Sequence, residues 1–152
     1  PETFTVLGFI FICGKSLRGA FQLWRKSRGD RMRTTLQEIK AQLRKRMHDS
    51  IPEQGKWLAQ VIRGYYNYHA VPTNARSLSA FRYHVTALWR RSLKHRSQRD
   101  GTTWERIDRL ACAYLPLPRI LHPWPEVRFA VTHPRWEPSA RIGPARICAG
   151  GA

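Results

Sequence analysis

Ser50-Ile51-Pro52-Glu53-Gln54-Gly55-Lys56-Trp57-Leu58-Ala59-Gln60-Val61-Ile62-Arg63-Gly64-Tyr65-Tyr66-Asn67-Tyr68-His69-Ala70-Val71-Pro72 is the stretch on which the fold turns. Ser50 with Glu53 three positions on forms a capping box, and Pro52 stands in the first turn, where a missing N–H is tolerated. At 100° per residue, Trp57, Leu58, Val61, Ile62, Tyr65, Tyr68 and His69 gather on one broad side. Lys56, Gln60, Arg63 and Asn67 gather on the other, with Tyr66 at the boundary. The pattern predicts a helix that runs to about Ala70 and stops near Pro72. Its phase assigns Tyr65 and Tyr68 to a core and leaves Tyr66, with Arg63 and Asn67, for a ligand. His69, on the apolar side, reads as a packed, hydrogen-bonded residue. Gly64 costs up to about 1 kcal/mol against alanine in a helix interior, which points to close approach of another helix or of a phosphate backbone.

Upstream, Met32, Leu36, Ile39, Leu43 and Met47 repeat at steps of four and three, the stripe of an amphipathic helix. Arg31, Arg33, Arg44 and Lys45 lie on its opposite side. Downstream, Thr73-Asn74 offers caps for a further helix with Leu78, Phe81, Val85, Leu88, Trp89 and Leu93 on one face. Thr102-Thr103-Trp104-Glu105 reads as a second capping box, opening a shorter helix through about Ala113. Apolar-striped helices with short connections argue for a small bundle.

The segment Phe4 to Cys13 reads as a strand, followed by a turn region, Gly14 to Gly19, and a second strand, Ala20 to Lys26. Together they make a β-hairpin. Phe4, Val6, Ile10 and Ile12 would occupy one face of the first strand, and Leu7, Phe9 and Phe11 the other. A strand apolar on both faces belongs in a sheet covered on both sides, which a lone hairpin does not provide. This points to a domain N-terminal to the chain, as does a start at Pro1 rather than Met. From Leu115 onward, Pro116, Pro118, Pro123, Pro125, Pro134, Pro138 and Pro144 exclude regular helix. The expected fold is therefore mainly α: a β-hairpin over 1–27, a three- to four-helix bundle over 28–115, and an irregular, partly disordered Pro/Gly-rich extension over 116–152.

Charge narrows the function. With 27 Lys+Arg against 10 Asp+Glu, the net charge is +17. Such self-repulsion suits a polyanionic partner, nucleic acid first. Cys13, Cys112 and Cys148 have no paired spacing, which speaks against a zinc knuckle and for the reduced thiols of a cytoplasmic protein. No apolar run approaches the roughly 20 residues of a membrane span, so no membrane partner is expected. On the third helix Tyr83, Arg90 and Lys94 share a face with Arg91 beside it, and His95, Arg96 and Arg99 extend the charge beyond the helix end. Arg and Lys with one aromatic suit a phosphate backbone and a splayed base. The expected RNA contacts are Arg63, Tyr66, Asn67, Arg76, Tyr83, Arg90, Arg91, Lys94, Arg96 and Arg99. Paired aspartates of the kind that hold two Mg²⁺ ions are missing, as are phosphate loops and nucleophile elbows. No catalytic or metal-ligating residue is assigned.

Phe4-Thr5-Val6-Leu7-Gly8-Phe9, Ile51-Pro52-Glu53-Gln54-Gly55, Arg63-Gly64-Tyr65-Tyr66-Asn67-Tyr68 and Ala70-Val71-Pro72 follow one another in an order similar to that of group II intron-encoded reverse transcriptase/maturases. Leu88-Trp89-Arg90-Arg91, Arg96-Ser97-Gln98-Arg99, Thr103-Trp104-Glu105 and Pro118-Arg119-Ile120-Leu121-His122-Pro123 fit the same family, so the resemblance covers roughly Phe4 to Val131. It implies that the hairpin ends a polymerase palm and that the bundle is the thumb, also called the maturase or X domain. The family's catalytic aspartates, and the Mg²⁺ they hold, belong to the palm; this stretch would therefore carry no cofactor and would not polymerise DNA on its own. The implied task is binding intron RNA to assist splicing and gripping template–primer in the full-length protein. The alternative is a basic structural protein of a ribonucleoprotein particle.

Overall fold

The computed structural model describes residues 2–16, 19, 21–96 and 101–124. It is mainly α, with a small antiparallel sheet followed by a helical bundle. The sheet comprises β1 (Thr3–Val6), β2 (Phe9–Lys15) and β3 (Phe21–Ser27), in that order. The bundle comprises α1 (Gly29–Lys45), α2 (Ile51–His69), α3 (Ala75–Arg96) and α4 (Trp104–Tyr114).

The continuous strand expected from Phe4 to Cys13 is broken in two. Leu7 (φ 49°) and Gly8 (φ 84°) are both left-handed, the signature of a two-residue hairpin turn whose twist matches that of the strands. The turn changes which residues share a face. Phe4 pairs with Phe11 and Val6 with Phe9, so these four lie together, while Ile10 and Ile12 lie with Thr3 and Thr5. The Phe4 and Phe11 rings stack with centroids 5.0 Å apart. Phe9 is buried, yet Phe4, Val6, Leu7, Phe21 and Trp24 are exposed.

The bundle core follows the helical stripes. Ile39 and Leu43 of α1 meet Leu58, Ile62 and Tyr65 of α2 and Leu78, Phe81, Val85, Trp89 and Leu93 of α3, with Ile107 and Ala111 of α4 closing the end. The capping box of α2 is formed: Ser50 Oγ accepts from the Glu53 amide, and the Ser50 amide donates to Glu53 Oε2 at 3.0 Å. The Ser50 hydroxyl's hydrogen bond holds the Glu53 carboxyl below its ordinary range. For α4 the cap falls one residue later than expected, on Thr103, whose hydroxyl accepts from the Arg106 amide. Asn74 precedes α3, but its side chain turns to the sheet instead, with Oδ1 accepting from the Ser27 amide at 3.0 Å.

Two helix assignments are corrected. Tyr66 is 4% exposed and part of the core, whereas Tyr68 is 51% exposed and reaches out to the sheet. The Tyr68 hydroxyl donates to the Leu7 carbonyl, and its ring stacks on Phe9. Helical phase alone misjudges both because α2 is covered from more than one side: α4 reaches it at Gly55, the segment after α4 borders Tyr66, and the sheet claims the end carrying Tyr68. Close approach is likewise found at Gly55, not Gly64. A Cβ on Gly55 would lie 2.6 Å from the Tyr114 ring, whereas one on Gly64 would meet nothing within 4 Å.

A polar joint ties the sheet to the bundle. The Arg25 amide donates to Thr73 Oγ1 at 2.8 Å, and Thr73 Oγ1 donates back to the Arg25 carbonyl. Asn74 Nδ2 donates to Ser27 Oγ at 2.7 Å and to the His69 carbonyl at 2.8 Å. Ser27 Oγ lies 2.9 Å from His69 Nδ1. As expected, His69 is packed and hydrogen-bonded, and burial pushes its pKa down.

Candidate nucleic-acid interface

The face between α1 and α3 carries several cations. A cavity of about 480 Å³ is lined by Lys40, Leu43, Arg44 and Met47 from one side and Leu88, Arg91, Ser92 and His95 from the other. A second, of about 320 Å³, is lined by Arg33, Leu36, Gln37 and Lys40 against His84, Ala87, Leu88 and Arg91. The two share Lys40, Leu88 and Arg91, so they form one groove. Low residue numbers face low numbers across it, which means that α1 and α3 run side by side in the same direction.

The spacing along the two walls is the same. Arg33, Lys40 and Arg44 stand at i, i+7 and i+11 on α1, and His84, Arg91 and His95 stand at i, i+7 and i+11 on α3. Eleven positions at a rise of about 1.5 Å make each rail about 16 Å long. Among the described residues, no carboxylate lines either cavity. Asp30 and Asp49 are engaged elsewhere with Arg28 and Arg46, and Glu53 is engaged in its cap. The groove is therefore a cationic channel with an apolar floor of Leu36, Leu43, Met47 and Leu88. It can neutralise phosphates on both walls while sugars or bases rest on the floor.

The residues expected to bind RNA do not form one surface. Arg91 lines the groove. Lys94 is exposed on the same helix, one residue before groove-lining His95. Arg90 turns to the other side of α3, where its Cζ lies 4.5 Å from the Trp104 ring centroid and its Nε donates to the Thr102 carbonyl at 3.1 Å. Tyr83 points the same way and stacks on Trp104 with centroids 6.0 Å apart. Arg96 bonds the Asp49 carbonyl at 2.9 Å, tying the end of α3 to the α1–α2 connection. Arg76 is exposed at the start of α3. Arg99 lies outside the described residues.

Arg63, Tyr66 and Asn67 meet elsewhere, in a cavity of about 290 Å³ completed by Pro116, Leu117, Arg119 and Leu121. Arg63 and Asn67 are exposed. The Tyr66 hydroxyl is buried with no partner among the described residues, and burial pushes its pKa up to about 12. Tyr66 is thus a core residue whose ring borders a cavity, not a free stacking surface. The 116–122 segment is strapped to α2: the Leu121 and His122 amides both donate to the Ala70 carbonyl, and His122 Nε2 donates to the Asn67 carbonyl at 2.7 Å.

Lys40, His84, His95, Trp104 and Arg119 were not among the expected contacts. Each helix wheel taken alone places Lys40 and His84 at the margin of an apolar stripe. The signal that unites them is the matched i, i+7, i+11 spacing on two different helices. Among the described residues, no three His, Cys, Asp or Glu side chains converge as a metal site would require. Among the same residues, no helix is long and apolar enough to cross a membrane. The chain matches no protein-family model, no curated protein and no solved structure.

Proposed function

We propose that the chain is an RNA-binding helical module, the thumb/maturase part of a group II intron reverse transcriptase. The observation that carries the binding reading is the α1–α3 groove, walled by Arg33, Lys40, Arg44 and Arg91 and, among the described residues, free of carboxylates. With a net charge of +17 behind it, such a groove attracts a polyanion over long range and releases counterions on contact. Its partner would be folded intron RNA, stabilised in its active form while the RNA does the chemistry, and template–primer when the module is joined to a palm. The parentage rests on the sequence resemblance alone, whose segments lie against one another in the fold. Gln54 of Ile51–Gly55 contacts Trp89 of Leu88–Arg91; Arg90 covers Trp104; and Leu121-His122 seats on Asn67 and Ala70.

The test is a salt titration of RNA binding. Lys40→Gln, Arg44→Gln and Arg91→Gln should each weaken binding and reduce the slope of log K against log salt by about one, with helicity unchanged. Unchanged slopes would remove the groove from the interface. A preference for group II intron RNA over an unrelated structured RNA of equal length supports the maturase reading. Equal affinity would favour a general structural protein of a ribonucleoprotein particle.

A further inference from the structure

We propose that Tyr83 and Trp104 form a stacking platform for one unpaired nucleobase of an RNA whose backbone lies in the α1–α3 groove. The inference rests on the RNA-binding reading above and adds what that reading leaves open: a preference for a bulged or single-stranded nucleotide beside paired RNA.

Exposure is the first argument. An aromatic ring that only holds two helices together is buried, as Trp89 is. Tyr83 is 59% exposed and Trp104 is 41% exposed, although both stand where α4 meets α3. Their planes are within 8° of parallel with centroids 6.0 Å apart, so the solvent-exposed parts of the two rings are aligned. Every base has a π-face, and stacking on such rings is tolerant of sequence.

The second argument is that the platform is held in place before any ligand arrives. Trp104 is the first residue of α4, directly after its Thr103 cap. Arg90 covers its ring, and that guanidinium is fixed by its bond to the Thr102 carbonyl. A cation over the indole attracts its π-cloud and sets positive charge beside a stacked nucleotide.

Position relative to the groove is the third. Tyr83 and Arg90 are the chain neighbours of His84 and Arg91, which line the groove, and one residue is about 100° around a helix. The Tyr83 and His84 rings touch edge to face, with centroids 5.7 Å apart. Platform and groove thus flank a single ridge of α3. A strand held in the groove need turn out only one nucleotide over that ridge to stack it. Paired RNA keeps its bases in the helix and offers the platform nothing.

The experiment uses the full chain and three RNA hairpins: one with a fully paired stem, one with a single bulged adenosine, and one with an abasic residue at the bulge. The bulged hairpin should bind about tenfold tighter than either of the others, the size expected from one base–aromatic stack. Tyr83→Ala and Trp104→Ala should abolish this discrimination while leaving affinity for the paired hairpin within about twofold, and Trp104→Phe should restore part of it. Tyr83 is exposed on α3, so its variant keeps the test informative should Trp104→Ala loosen α4, as circular dichroism would reveal. Equal binding of bulged and abasic hairpins by the unaltered protein, or discrimination that survives both alanine variants, overturns the platform alone. Failure of the unaltered protein to bind any of the hairpins overturns the RNA-binding reading, and the platform with it.

Discussion

The indole N–H of Trp89 donates to Gln54 Oε1 across 3.0 Å, and both side chains are fully buried. The same amide uses its Nε2 on the Arg46 carbonyl at 2.7 Å, at the end of α1. One glutamine therefore joins three helices where an unpaired polar group would be costly. Trp89→Phe should destabilise the protein by about 1–3 kcal/mol, because it strands a buried acceptor. Adding Gln54→Met should restore only part of the stability, since the Arg46 carbonyl loses the Gln54 donor and is left with the Asp49 amide alone. Urea unfolding of the two variants checks this; full recovery in the double variant would limit the glutamine's role to the indole.

Gly55 and Gly64 stand nine positions apart in α2 but answer to different forces. At Gly55 an added methyl group runs into the Tyr114 ring, so Gly55→Ala should cost about 1–3 kcal/mol through overpacking and a displaced α4. At Gly64 there is open space, so Gly64→Ala should stabilise by up to about 1 kcal/mol through helix propensity alone. Thermal melting of both variants reads the opposite signs, and a loss at Gly64 would mean that its backbone is needed for something the fold does not display.

The tyrosines of α2 separate by partner. Tyr66→Ala should cost about 3–5 kcal/mol, the usual loss for removing a large buried ring. Tyr66→Phe should be tolerated, since the hydroxyl has no partner among the described residues. Tyr68→Ala should cost about 1–3 kcal/mol, from one exposed hydrogen bond to Leu7 and the ring's stack on Phe9, and should chiefly loosen the sheet. Denaturant midpoints decide the ranking, and a larger loss at Tyr68 would reverse the burial assignments.

These residues also mark how far the chain could be read without coordinates. The capping box at Ser50, the stripes of α1 and α3, and the core roles of Tyr65 and His69 were legible because each depends on local spacing and one apolar face. Tyr66 and Tyr68 were not, because a helix touched from two directions has no single wheel boundary. The Leu7-Gly8 turn was obscured by a largely apolar run: Gly8 is its local signal, but Leu7 is an unusual residue for a left-handed position. The groove needed two helices to be set in parallel before Lys40 and His84 could be seen to face each other. Charge count pointed only to a polyanion as the expected partner, whereas packing separates Arg91, in the groove, from Arg90, which covers Trp104.

His69 makes the joint between sheet and bundle sensitive to pH. It is enclosed by the rings of Tyr65, Tyr68 and Phe9 and by Ser27 and Asn74, its hydrogen-bond and ring partners among the described residues. Ser27 Oγ accepts from Asn74 Nδ2 and keeps its own proton for Nδ1 of a neutral imidazole. Burial lowers the pKa in the folded state below the ordinary 6.5, so the unfolded chain takes up the proton first. Stability from this group is complete above about 6.5 and declines as pH falls from there towards the lowered folded value, where the unfolded state binds more protons. Asp30 and Glu53 also have lowered values, but from starting points of 3.8 and 4.5, so their losses fall in a more acidic window. Denaturant unfolding at pH 7.5 and 5.5 should show a loss at the lower pH that is reduced in His69→Gln. An equal loss in that variant would remove His69 as its cause.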